Sequence, residues 1–187
     1  DESGRDLTLR LSRAHPRFLH KLFELEVPEI ASGVVEIKTI AREAGARSKI
    51  AVYSHDDHID PVGSCVGQRG VRVGTVTSEL GGEKIDIIEW SENNEEFIRN
   101  SVSPADTLSV RLDEKEKKAT IEVAPDQYSL AIGKGGQNAR LAARLTGWKI
   151  DIRAKGQGMD APRQAEAENK EEEKTEPAFA PEEKPQS

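Results

Sequence analysis

A single cysteine in 187 residues excludes an intramolecular disulfide framework and fits a reducing compartment. No apolar run approaches the roughly 20 residues needed to span a bilayer. The opening residues, DESGRDLTLRLSR, also lack the charged-then-apolar order of a secretion signal. A soluble, cytoplasmic protein with no membrane partner is expected. Nor is there a cationic surplus: the formal charge is −7, which as a sum argues against a nucleic-acid ligand. The distribution of charge reverses that argument. From Asp160 onward nine carboxylates stand against four cations, leaving −2 for residues 1–159. Lys134, Arg140, Arg144, Lys149, Arg153 and Lys155, by contrast, share their stretch with Asp151 alone, a local excess of +5. Clustered carboxylates with a general base are missing as well, so no enzyme and no cofactor are expected.

What is present is a duplication. Cys65–Leu80 (CVGQRGVRVGTVTSEL) aligns with Ala131–Thr146 at a constant offset of 66 residues, and KIDI follows in both copies, at Lys84–Ile87 and Lys149–Ile152. With 35% hydrophobic and 33% charged residues the cores are small, and the repeat divides the chain into two small domains rather than one large one.

In chain order, alternation over Asp6–Ser12 reads as a strand whose partners are not visible, as if the chain were a fragment of something longer. Pro16 opens a helix carrying Phe18, Leu19, Leu22, Phe23 and Leu25 at helical spacing until Val27-Pro28 stops it. Residues 14–27 are expected to be a linker helix. Gly33–Arg42 and Lys49–Tyr53 form a ribbon around Ala44-Gly45-Ala46, a short helix runs from Pro61 to Val66, and a second runs from Val71 to Gly81-Gly82 before the strand Lys84–Glu89. The second copy repeats the order: a helix from Asn93 or Asn94, a hairpin of Leu108–Leu112 and Ala119–Val123, a helix from Pro125, another over Gln137–Leu145, and the strand Trp148–Ile152. Domains are therefore expected at 28–90 and 91–155. Residues 156–187, rich in Glu, Lys, Pro and Ala, are expected to form a disordered acidic tail.

Both copies place aliphatic-Gly-x-x-Gly between two helices: Val66-Gly67-Gln68-Arg69-Gly70 and Ile132-Gly133-Lys134-Gly135-Gly136. Glycine permits positive φ and offers no Cβ, so a phosphodiester backbone can approach main-chain N–H groups, helped by the positive end of the following helix. Arg69 and Lys134 supply a cation in each loop. Lys134 is followed by Gly135 rather than Ser or Thr, which excludes the nucleotide P-loop, and the dinucleotide pattern fails at Asn138. The arrangement resembles the KH domain, in which such a loop clamps about four nucleotides of single-stranded RNA while bases lie on an apolar groove. One Gly-x-x-Gly alone also arises in ordinary helix connections, and repetition with cations and matching element order makes it specific. The first copy completes the KH core at Val73; the second has Ala139 there, implying a shallower groove. Arg72, Gln137, Asn138, Arg140 and Arg144 join the candidate RNA contacts, with Arg47 and Lys49 flanking the first hairpin.

EVPEI (26–30), AREAGARSKIAVYS (41–54), DPVGSCVGQRGVRV (60–73), GGEKIDIIEWSEN (81–93) and SLAIGKGGQNARLAARLTGWKIDI (129–152) resemble the bacterial NusA family of transcription elongation factors, over residues 1 to about 154. The resemblance implies an α+β fold: two tandem type II KH domains, each α-β-β-α-α-β with a three-stranded sheet on helices. It makes residues 1–13 the last strand of an OB-fold domain. It implies nascent single-stranded RNA, RNA polymerase in the full-length protein and other antitermination factors as partners, a role in elongation, pausing, termination and antitermination, and a monomer. Gly74 departs from the family, which has a longer polar residue there.

Two rival readings go with it. A protein-interaction scaffold of the transcription or ribosome-assembly machinery would use the glycine loops only to shape the fold. A metal-dependent nuclease would use His55, Asp56, Asp57, His58 and Asp60, which read more simply as a solvated loop. Cys65 reads as a small buried residue, and Trp148 either stacks a base or packs in the core.

Overall fold

The computed structural model describes residues 11–156. The expected strand Asp6–Ser12, apart from Leu11 and Ser12, and the tail beyond Gly156 lie outside them. The elements are α1 (Pro16–Glu26), α2 (Pro28–Ala31), β1 (Val35–Glu43), β2 (Arg47–Ser54), α3 (Pro61–Val66), α4 (Val71–Glu79) and β3 (Lys84–Glu89), followed by α5 (Asn94–Ser101), β4 (Thr107–Asp113), β5 (Lys118–Val123), α6 (Tyr128–Ile132), α7 (Gln137–Thr146) and β6 (Lys149–Ala154). The order α-β-β-α-α-β occurs twice, α2 being a short addition to the first round.

Each half builds one mixed sheet. β1 pairs antiparallel with β2 through a turn whose Gly45 has φ +77°, and β3 returns parallel to β2 after the α3–α4 crossover. β4, β5 and β6 repeat this pairing. The parallel return is what two intervening helices allow, since a tight hairpin can only reverse the chain. β3 and β6 lie at the edges of their sheets, beside α3 and α6 respectively.

Residues 14–27, expected as a linker, contribute to the first core instead: Leu19, Phe23 and Val27 are fully buried among Val35, Ile50, Val52 and Cys65. His15 caps α1 by accepting the Arg17 N–H at 3.1 Å, and Pro16 at the first helical position has no N–H to leave unpaired. Removal of Leu19 and Phe23 side chains from water contributes about 1.5–3 kcal/mol each, more than helix propensity alone supplies. The second core gathers Ile98, Val110, Ile121, Val123, Ala131, Ala142 and Trp148.

The two sheets differ on their outward faces, and the pairing registers make the comparison residue by residue. Ala41, Ala51 and Ile88 on the first sheet correspond to Arg111, Glu122 and Arg153 on the second. The apolar set is buried against Phe97 of α5 and Leu141 and Leu145 of α7, whereas Arg111 and Arg153 are exposed. The second half therefore sits on the first half's sheet, and the first sheet's outward face is apolar for that reason.

Candidate nucleic-acid interface

The two glycine loops adopt one conformation. Gly67 (φ 73°, ψ 171°), Arg69 (54°, 25°) and Gly70 (76°, 18°) are matched by Gly133 (77°, 172°), Gly135 (59°, 28°) and Gly136 (74°, 9°). Each loop leaves its helix through an extended left-handed glycine, makes one tight turn and enters the next helix. Arg69 holds a left-handed conformation that Gly135 adopts without a Cβ, so the first loop tolerates a strain of about 1–2 kcal/mol to place a cation there. Gln68, Arg69, Lys134 and Gly135 are exposed. The second loop carries its cation one position earlier than the first. The helices and strand that flank each loop carry half-buried apolar side chains: Val62, Val66, Val73, Ile85 and Ile87 in the first half, Tyr128, Ile132 and Ile150 in the second. Ala139 is buried in the second core, where Val73 of the first half is only half-buried.

Of Arg72 and Asn138, both expected as RNA contacts, Asn138 is buried, which corrects that expectation, and Arg72 is half-buried with its guanidinium bonded within the chain. Arg72 donates to the Ser64 carbonyl at 2.6 Å and to Glu29 at 2.9 Å. Asn138, 3% exposed, donates through its amide to the carbonyls of Val102 (2.9 Å), Ala131 (2.9 Å) and Leu130 (3.4 Å). Ser64 and Leu130 are equivalent positions, so both copies tie the helix after the loop to the helix before it. The absent Cβ of the first glycine makes room for this: a Cβ on Gly67 would lie 2.7 Å from Arg72 Cγ, and one on Gly133 would lie 2.8 Å from the Asn138 main-chain nitrogen.

Gln137, Arg140 and Arg144 line one face of α7 and converge on Glu43 of β1. Gln137 and Arg140 each donate to it at 2.7 Å, and Arg144 lies 3.9 Å away. Burial alone pushes the Glu43 carboxyl up, but the hydrogen bonds from Arg140 and Gln137 outweigh burial and hold it below the usual carboxylate range. Arg140 also donates to the Gly135 carbonyl at 3.2 Å, linking this charge cluster to the second loop. Lys49 is fully buried and so cannot track a phosphate, and Arg47 is paired with Asp86 at 2.8 Å through two of its donors. Glu43 escaped sequence reasoning because its partners lie 94 to 97 residues away. The one available signal was the apolar outward face of the first sheet.

With this geometry in place, comparison with known proteins is decisive. Residues 13–90 match the model of the NusA-like first KH domain, and residues 94–159 match that of the NusA-like second KH domain. The chain carries the paired KH domains of the NusA family. Transcription termination/antitermination proteins NusA are similar to it at 54% identity over 152 residues in Halalkalibacterium halodurans, 55% over 150 in Thermus thermophilus and 58% over 144 in Bacillus subtilis. These alignments cover 77–81% of this chain and 39–40% of each relative, so the chain spans about two fifths of the curated relatives it matches. The crystal structure of APE1850 superposes with a TM-score of 0.55 at 24% identity, covering 76% of this chain and all of the other, a likeness of fold.

The remaining candidates in this NusA-type KH pair are structural. Asp56 caps the His58 N–H at 2.9 Å, Asp60 caps α3 at the Val62 N–H at 2.9 Å, and His55 faces Glu36 at 3.2 Å. Among the described residues, no group of three or more His, Cys, Asp or Glu side chains is placed to hold a metal ion. Trp148 lies in the second core, 9% exposed, rather than in a position to stack a base. Gly74 faces open space, with nothing within 4 Å of where a Cβ would lie, and its equivalent in the second copy is Arg140. Cys65 is buried behind the first loop, where burial and the nearby Glu29 carboxylate push its thiol up to about 12. Folded protein at pH 8 is expected to resist alkylating reagents and to react fully once unfolded, because the thiolate is the nucleophile. Rapid labelling of the native chain would place Cys65 outside the core.

Proposed function

We propose that this chain binds single-stranded RNA along both glycine loops, as the RNA-reading part of a NusA-type factor acting on elongation, pausing, termination and antitermination beside RNA polymerase in the cytoplasm. The observation that carries it is the match of the two loop conformations, each with an exposed cation (Arg69 or Lys134) and flanked by half-buried apolar side chains. The loops grip the sugar-phosphate backbone through main-chain N–H groups and the cation, leaving bases to stack on the groove side chains Val66, Ile85 and Ile87 or Ile132 and Ile150. No base contact is needed for grip, so the backbone supplies affinity and the groove supplies preference. The module binds, and no catalytic step is assigned to it.

With about two of the four clamped phosphates neutralised at each loop, the two loops together give a salt slope near −3 for a single strand. Affinity should then fall about fiftyfold between 50 and 200 mM salt. Fluorescence anisotropy with a labelled 12-nucleotide single-stranded RNA measures this. Affinity independent of salt removes the phosphate clamp and leaves a protein-interaction scaffold.

A further inference from the structure

Polar links cross the seam between the two halves at several places: Thr39 donates to the Leu145 carbonyl at 3.4 Å, Glu43 takes Gln137 and Arg140, Asn100 donates to the Glu89 carbonyl at 3.2 Å, and Lys49 donates to the Ser103 carbonyl at 2.6 Å. The Lys49 link is unlike the others because its cation has no exposure at all. Lys49 lies on β2, the central strand of the first sheet, and is held from its own side by Asp86 of β3 at 3.0 Å. Asp86 is in turn gripped by both donors of Arg47 at 2.8 Å, so the anchor beneath the lysine is itself braced.

The second half provides an internal control. The pairing of Lys49 with Asp86 in the first sheet corresponds to that of Thr120 with Asp151 in the second, with Arg47 answered by Lys118. The aspartate and the flanking cation are kept, and the lysine is present only on the sheet that another domain covers. Burying an ammonium is costly unless it is paired, and this one is paired with Asp86 and with the Ser103 carbonyl. What the ammonium adds is direction: it donates to one carbonyl in one place, whereas the apolar contacts of Ala41, Ala51, Ile88, Leu141 and Leu145 across the same seam can slide.

We propose that Lys49 is a positioning residue for tandem RNA binding. Pinned to Asp86, it fixes the second domain's backbone at Ser103 and so sets the offset between the two glycine loops, without touching RNA. This rests on the RNA-binding reading above. One strand held by two loops gains affinity only if the loops are spaced for it, since the second contact depends on effective concentration.

The test is a thermodynamic cycle on the whole chain, using a labelled 12-nucleotide single-stranded RNA of randomised sequence. Lys49→Met is made in the intact chain and in a chain whose second loop is disabled by Lys134→Asp with Gly135→Asp. The expected result is about a tenfold loss of affinity from Lys49→Met in the intact chain and none in the disabled one, with the variant still folded by its circular-dichroism spectrum although it melts lower. Residual dipolar couplings should report a changed angle between the halves. Equal loss in both backgrounds, or unchanged affinity in the intact chain, overturns the positioning role. Lys49→Arg, which keeps the cation, guards against a folding failure of the methionine variant: it should retain most of the coupling, and its failure to do so in a folded chain also counts against the proposal. Absence of binding by the unaltered chain overturns the RNA reading itself, and this proposal with it.

Discussion

Aspartate pairs in both loops, Gln68→Asp with Arg69→Asp and Lys134→Asp with Gly135→Asp, are expected to lower affinity for single-stranded RNA by about a hundredfold or more while the chain melts where it did before. The backbone admits them. Arg69 already holds φ 54° with a side chain, Gly135 has φ 59° with nothing within 4 Å of a Cβ, and aspartate tolerates the left-handed region better than most residues. Each loop changes from one positive charge to two negative ones at the point where phosphates pass. A tenfold loss per loop corresponds to about 1.4 kcal/mol, a modest figure for like charges brought together. Disabling one loop should leave a weaker complex with a shallower salt slope, because the other loop still grips. Anisotropy titration beside a circular-dichroism melt reads both quantities. Unchanged affinity in the folded quadruple variant sinks the RNA assignment of both loops.

Glu83→Ala is expected to destabilise the chain by about 3–5 kcal/mol and to lower its melting temperature by roughly 10 °C. Glu83 is 1% exposed and accepts from both Arg42 donors at 2.8 and 2.9 Å, from the Ser48 hydroxyl at 2.6 Å and from the Gly45 N–H at 2.8 Å. Arg42 continues to the His15 carbonyl at 3.0 Å, so the cluster joins the cap of α1 to β1, β2 and the residue that leads into β3. Removing the carboxylate strands a buried guanidinium. The second half shows how the cluster can be replaced: Leu112, Ala119 and Trp148 occupy the positions of Arg42, Ser48 and Glu83, all apolar. Arg42→Leu combined with Glu83→Met should therefore recover more than half of the loss, measured as a non-additive double-mutant cycle.

The same carboxylate gives the fold an acid limit. Burial alone pushes Glu83 up, yet the bonds from Arg42, Ser48 and Gly45 outweigh it and hold it below the ordinary glutamate range. Its stabilisation is thus fully present above that ordinary range and is lost as pH falls through the depressed native value. Asp86, likewise lowered by Arg47 and Lys49 against its own burial, adds to the same loss.

Much of the site was legible because it is local. The loops, their flanking helices and the KIDI strands are set by glycine positions and by period-2 or helical spacing within 25 residues. Boundaries moved where a turn intervened: the helix expected from Pro125 begins at Tyr128, because the Gln127 N–H first closes a turn onto the Ala124 carbonyl at 2.9 Å. Residue type misled at Asn138 and Lys49, where polar side chains with the chemistry to bind RNA are buried and satisfy carbonyls that would otherwise be unpaired.

By itself, the sequence determined that there are two copies of one unit, where the two loops lie, and that each loop has a cation. Those features follow from torsional freedom and side-chain spacing along a single stretch of chain. Only the tertiary structure decided which polar residues are left to meet a ligand, that α1 belongs to the first core, and that the second half is seated on the first sheet. These outcomes depend on partners such as Glu43 with Arg140 or Lys49 with Ser103, separated by 97 and 54 residues, whose meeting is set by packing rather than by any local preference.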